Sequence, residues 1–312
     1  MVYRTLICLT SALGFICATS RPALAESPLQ KKVLVIGIDG CRGDVFPACF
    51  AATHFPQLIK EGAFSANVDV LGDRETGAFT ITGPGWASIL TGVWADKHGV
   101  KMNDFKEPNF KQYPTFFKRL REVNPQADTV ALVSWPPFAQ YIFSAEEDCR
   151  LIADGDKVGY EAADRAVAEA ACKVMSQEDP DAMFVYFGDV DINGHGYGFH
   201  PRSPRYTAAV ERVDVHVGNL LQAMRQRPNY KNEDWLILVC TDHGGQNKDH
   251  GDGKNVPAIR LGFVIMHGPS VAAGTIEGPR LNNVDIAATA LKHLGVSLDP
   301  AWNFDGKPIE PK

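Results

Sequence analysis

Apolar residues follow two rhythms along this chain. Short continuous runs recur at residues 33–38 (VLVIGI), 182–187, 235–240 and 261–266, the first three flanked on at least one side by aspartate or glycine, as expected of strands buried on both faces. Between them, Val210, Val213, Val217, Leu220, Leu221 and Met224 repeat every three to four positions and predict a helix over 203–227. Weaker patterns predict helices at 56–61, 114–123, 157–176 and 283–294, the last stopped by Gly295, and strands at 66–70 and 129–133. Pro84 is expected at the first position of a helix that Gly92 ends, and residues 188–196 read as a glycine-bearing loop.

Strands alternating with helices predict an α/β fold with a mostly parallel central sheet and helices on both faces. No repeat, low-complexity tract or linker divides residues 26–312, which read as one domain. Residues 100–160 are less regular and read as partly an insertion. There Ser134-Trp135-Pro136-Pro137-Phe138 is expected to form a wall of a site or, equally, to pack into the core.

Residues 1–25 change the picture at the amino end. Arg4, an apolar stretch from Leu6 to Ala18 and Ala23-Leu24-Ala25 form the three-part pattern of a cleaved secretory leader, shorter than the roughly 20 residues of a membrane span. A periplasmic or secreted location follows. Losing Arg4 and Arg21 takes the formal charge from −6 to −8, which excludes a general nucleic-acid binder. A small phosphate-bearing molecule would have to be held by local cations or bound metal. Cys41, Cys49, Cys149, Cys172 and Cys240 remain, an odd number, so at least one is unpaired within the chain.

The chemistry-bearing residues gather just beyond predicted strands, the edge where open α/β sheets hold ligands. Asp39 follows the first run. Asp191 and His195 follow another at a spacing that lets both reach one ion, with Asp189 as a substitute for Asp191. Asp242-His243 follows a third, with His250 seven residues on. Each alone also reads as an ordinary turn or cap. Together with a hydroxyl at Thr82 or Thr80 they make the inventory of a two-metal phosphoryl-transfer site. Thr82 is favoured because it lies at a helix start, where free amides and the dipole attract anions, and because Gly83 and Gly85 let the backbone approach a phosphoryl group.

In their order and spacing these motifs resemble the alkaline phosphatase superfamily, and within it the ectonucleotide pyrophosphatase/phosphodiesterase type. The resemblance runs through Ile38-Asp39-Gly40, Thr82 with Gly83-Pro84, Ser88 to Gly92, His98-Gly99, Trp135-Pro136, Asp191 and His195, Asp242-His243-Gly244, His250-Gly251 and Gly268-Pro269. It departs at Gly85, where an asparagine that helps hold a phosphate oxygen is expected. The Cys/Ser-x-Pro-x-Arg motif of typical sulfatases is absent. The resemblance implies two divalent ions of the zinc type. Asp39, Asp242 and His243 would hold one beside the nucleophile Thr82, and Asp191, His195 and His250 the other, with Trp135 contacting substrate. It implies a phosphodiesterase or nucleotide pyrophosphatase. The alternatives are a monoesterase or phosphonate hydrolase on the same metals, and a non-catalytic binding protein retaining the fold. No arginine neighbours Thr82 in sequence; Arg42 is the one considered able to fold in.

Overall fold

The computed structural model describes residues 1–2, 29–145, 147–276 and 280–310. The leader reading for residues 1–25 therefore lies almost wholly outside the described residues. Among the described residues nine strands form one sheet: β1 Gln30–Ile38, β2 Ala63–Asp69, β3 Thr129–Val133, β4 Asp148–Leu151, β5 Ala182–Phe187, β6 Glu233–Cys240, β7 Leu261–His267 and two short pairs, β8 Gly274–Thr275 and β9 Leu281–Asn282. The order is β4-β3-β5-β1-β6-β7-β2-β8, with β9 also on β2. Only β7 pairs antiparallel with its neighbours, so the sheet is mostly parallel. Strands β3 and β4, from the stretch read as partly an insertion, extend the sheet beside β5.

The helices are α1 His54–Glu61, α2 Thr82–Thr91, α3 Ala95–His98, α4 Phe116–Val123, α5 Gly155–Val158, α6 Tyr160–Gln177, α7 Asp189–Tyr197, α8 Pro204–Arg225, α9 Pro257–Arg260 and α10 Asp285–His293. Side-chain alternation along β1 divides them between two faces. Leu34, Ile36 and Ile38 pack with Leu58, Val167, Val174, Val213 and Leu220 from α1, α6 and α8. Val33 and Val35 pack with Trp86, Leu90, Phe116, Ile286 and Leu291 from α2, α4 and α10. No helix among the described residues is long and apolar enough to cross a membrane.

Three local expectations change. Helix α2 begins at Thr82, with extended Ile81 preceding it, so Pro84 is its third residue. A proline there is tolerated because first-turn amides lack intrahelical partners. The segment read as a loop at 188–196 is the helix α7, despite Gly194 and Gly196. Phe199 covers Gly194, where a Cβ would meet its ring at 2.2 Å, so tertiary packing overrides propensity. The 157–176 helix is broken at Gly159, whose φ of +84° ends α5 and opens α6.

The register brings the site together. Ile38 pairs with Phe187 and Gly37 with Cys240, so β5, β1 and β6 end almost level and release their following residues at one edge. Gly37 also admits α2, because a Cβ there would lie 2.4 Å from the Trp86 ring and 3.1 Å from that of Phe184. Both rings are fixed in the core. Gly37→Ala is expected to lower stability by about 1–3 kcal/mol through overpacking. An unchanged urea midpoint would contradict this packing.

Candidate metal centre and active site

Asp39 leaves β1 directly into this edge and is 1 % exposed. Its Oδ2 accepts hydrogen bonds from the Tyr186 hydroxyl (2.8 Å) and the Trp86 indole N–H (3.1 Å). Oδ1 is buried and has no such partner. From β6, Asp242 accepts the Gly40 N–H on Oδ1 at 3.2 Å, while its buried Oδ2 is unpaired and lies 3.2 Å from His243 Nε2. His243 Nε2 is 3.5 Å from Asp39 Oδ1. These three residues form one compact donor set.

Helix α7 supplies the rest from beyond β5. Asp191 and His195, one turn apart, share a face with Oδ2 and Nε2 3.5 Å apart. His250 Nε2 lies 3.4 Å from Asp191 Oδ1 and 2.8 Å from His195 Nε2. Rings of His243 and His250 stack at 3.8 Å, so the two sets adjoin, and Asp191, His243 and His250 also fall within one ion's reach. Asp189 is turned away, its Oδ2 accepting from Arg212 Nε at 3.0 Å.

The hydrogen bonds fix the tautomers. Each Nδ1 faces a backbone carbonyl: His195 that of Lys248 (2.9 Å), His243 that of Gly244 (2.8 Å), His250 that of Thr80 (2.8 Å). A carbonyl only accepts, so each Nδ1 carries the proton and each Nε2 presents a lone pair inward. Burial drives His243 and His250 down to about 3, and it pushes the carboxyls of Asp39, Asp191 and Asp242 above their usual range. Lone pairs aimed at one another, with unpaired carboxylate oxygens around them, are unfavourable alone and suited to divalent cations. The donor set of nitrogen and oxygen fits zinc-like ions.

Thr80 and Thr82 are now distinguishable. The Thr80 hydroxyl is committed, donating to the His250 carbonyl and accepting the Gly253 N–H at 2.8 Å. The Thr82 hydroxyl, in the first turn of α2, makes no hydrogen bond among the described residues. Gly85 permits a close approach to Asp242 rather than an open backbone face, since a Cβ would meet Asp242 Cβ at 2.7 Å. At Gly83 the space is taken by Asn103, whose Oδ1 accepts the Gly83 N–H at 2.6 Å. A carboxamide from another segment therefore stands against this turn. Asn103 follows the His98-Gly99 motif, and that proximity was its only signal in the sequence. Tyr186 and Trp86 also went unpredicted; a buried indole or phenol needs a polar partner, and both face Asp39.

Trp135 is 9 % exposed and packs against Phe105 and Phe138. The exposed ring of this wall is Tyr141, stacked on Phe105 at 4.8 Å. Arg42 is held by Asp44 and by the carbonyls of Phe199 and Gly245. A cleft of about 570 Å³ flanks Thr80 and Gly251; none of the six donors lines it, and its cations Arg74, Lys254 and Arg260 are each paired with a carboxylate.

The family described as type I phosphodiesterase / nucleotide pyrophosphatase matches residues 33–259. Human ectonucleotide pyrophosphatase/phosphodiesterase family member 7 is 24 % identical over 265 residues, covering 79 % of this chain and 55 % of that protein. Human family member 5 is 25 % identical over 234 residues, covering 70 % and 45 %. The chain spans about half the length of the curated relatives it matches. Among solved structures, murine ectonucleotide pyrophosphatase/phosphodiesterase 5 superposes with a TM-score of 0.65 at 17 % identity, covering 86 % of this chain and 96 % of that one. The same murine protein is known as an inactive threonine-to-alanine variant in complex with AMP. A 2-O GAG sulfatase superposes with a TM-score of 0.68 at 13 % identity, covering 91 % and 76 %. At these identities the structural likeness speaks to the fold.

In the metal-free protein the raised carboxyls keep their protons to higher pH than ordinary carboxyls do, whereas His243 and His250, held near 3, are already neutral above that pH. Loading divalent ions should therefore release protons from the carboxyls, and apparent affinity should rise as pH rises. Titrating zinc into metal-free protein in weak buffer, at a pH just above the ordinary carboxyl range, should acidify the solution by more than the titrant blank. No net proton release would contradict the assignment.

Proposed function

Starting from a chain that belongs to the type I phosphodiesterase / nucleotide pyrophosphatase family, we propose that it is an exported, metal-dependent hydrolase of phosphoric esters, acting first on diesters or nucleotide pyrophosphate bonds. The observation that carries this reading is the convergence of six inward donors at the edge against which the first turn of α2 packs through Gly85, with the Thr82 hydroxyl of that turn making no hydrogen bond among the described residues. Asp39, Asp242 and His243 would hold one ion and Asp191, His195 and His250 a second, zinc being the species the donors suit. Bound ions would supply the charge that ionises the Thr82 hydroxyl and offsets charge on the departing oxygen.

Thr82 Oγ1 forms the bond to phosphorus as the ester oxygen departs, and water then cleaves the phospho-threonine. The inactive threonine variant of the murine relative fits a threonine in this role. Asn103 is oriented by the Gly83 N–H, which takes Oδ1 and leaves the two Nδ2 hydrogens to donate to a phosphoryl oxygen. The first turn of α2 adds its dipole. Tyr186 and Trp86 hold Asp39 Oδ2 and keep Oδ1 turned inward.

A monoester carries a further negative charge, and the nearby arginines are all engaged by carboxylates: Arg42 by Asp44, Arg74 by Asp96 and Asp305, Arg260 by Asp69. This favours diesters. The missing sulfatase motif favours phosphate over sulfate esters. The full donor set favours an enzyme over a non-catalytic binder. Export rests on the leader pattern of residues 1–25, and a single catalytic domain over 26–312 on strands drawn from residues 30–282 into one sheet.

Thr82→Ala should lower kcat on a p-nitrophenyl nucleoside diester roughly a thousandfold or more with both metals retained; Thr80→Ala should cost far less. Retained activity in Thr82→Ala, with loss in Thr80→Ala, would move the nucleophile to Thr80. The wild-type protein should show higher kcat/KM on that diester than on p-nitrophenyl phosphate, and the reverse ranking would overturn the substrate class.

A further inference from the structure

Helix α7 carries Asp191 and His195, yet its sequence, Asp189-Val-Asp-Ile-Asn-Gly-His-Gly-Tyr197, does not favour a helix. It is nine residues long, short of what holds in water alone, and two of them are glycine. Its N-cap, Gly188, offers no side chain to the first amides. That office is filled from another helix. Asp164, the fifth residue of α6 and 1 % exposed, accepts the Gly188 N–H at 3.0 Å and the Asp189 N–H at 2.9 Å, one on each carboxylate oxygen. The Ser134 hydroxyl lies 3.5 Å from the same carboxylate. A buried acid in an otherwise small and apolar helix face is costly, so its placement calls for a reason beyond the packing of α6.

We propose that Asp164 is a positioning residue: by gripping the N-cap amide of Gly188 and the first amide of α7, that of Asp189, it sets, before any ion binds, the direction of the helix that aims Asp191 and His195 at His250. Because successive residues turn by about 100°, a slip of one position at the helix start would swing Asp191 off the cluster. Arg212 on α8 grips the Asp189 side chain, and Gly40 lets Asp191 lie close, a Cβ there meeting Asp191 Oδ1 at 2.5 Å. The amides held by Asp164 are the point from which that geometry starts. The inference rests on the two-ion reading above.

A matched control exists in the same molecule. Asp214 on α8, also 1 % exposed, caps α1 by accepting the N–H groups of Thr53 (2.8 Å), His54 (3.0 Å) and Phe55 (2.6 Å), and α1 carries none of the six donors. Metal-free wild type, Asp164→Asn and Asp214→Asn should be titrated with zinc against a chromophoric chelator. Wild type and Asp214→Asn should each take two ions. Asp164→Asn should keep one ion at wild-type affinity and bind the other at least tenfold more weakly, and adding Asp164→Asn to His195→Ala should cost less than Asp164→Asn costs by itself, because only Asp191 is then left to be misaimed.

Asp164→Asn with both affinities intact, or Asp164→Asn and Asp214→Asn losing the same affinities together, would overturn the proposal. Wild type that takes only one ion would instead remove the two-ion premise, and the proposal with it. A second arm needs no variant. In metal-free wild type the amides of Gly188 and Asp189 should exchange slowly with deuterium; exchange at open-chain rates until ions are added would show that the ions, and not Asp164, order the helix.

Discussion

A carboxylate taken out of water without a partner costs several kcal/mol, and this chain gathers three of them at one sheet edge. Asp39 and Asp242 are 1 % exposed, and Asp191 keeps only 13 % of its side chain in solvent. The amides and hydroxyls nearby satisfy one oxygen each of Asp39 and Asp242 and leave the inward oxygens bare. Three imidazoles, their Nδ1 protons committed to backbone carbonyls, add inward lone pairs. Every one of these groups is tolerable beside a dication and unfavourable otherwise. The surroundings of the site are arranged around that demand.

The backbone meets it by close approach. Strands β5, β1 and β6 end level, which puts their successors within contact without long loops. Glycine at 37, 40 and 85 lets Trp86, Asp191 and Asp242 come closer than a Cβ would allow. Helix α2 then links the donor cluster to the hydroxyl proposed as nucleophile: Thr82 begins it and Trp86, one turn on, holds Asp39. A shift of α2 would move Thr82 and the partner of Asp39 together, which ties packing in the second core to the geometry of the proposed site.

Much of this was legible in the sequence because it depends on short-range pattern. Buried parallel strands declare themselves as continuous apolar runs, and donors just past them are placed by the fold class. Thr129–Val133 and Ala182–Phe187 have the predicted limits. What stayed hidden depends on groups distant in the chain. Residues 188–196 read as a loop because Gly194 and Gly196 lower helix propensity, while Asp164, which caps the segment, lies far outside any local window, and the folding back of Phe199 over Gly194 is a tertiary contact that periodicity does not show. Asn103 was missed because a carboxamide was sought next to Pro84, whereas the one present arrives 21 positions after Thr82 through a different turn. Trp135 read equally as wall or core, and its neighbours Phe105 and Phe138 bury it.

The central claim is that six residues from three strand ends hold two ions side by side. A crystal of the zinc-loaded protein, measured on both sides of the zinc absorption edge, tests it most directly. The account predicts two anomalous peaks roughly 4 Å apart, one contacted by Asp39, Asp242 and His243 and the other by Asp191, His195 and His250. A single peak shared by all six, or peaks away from them, would contradict it.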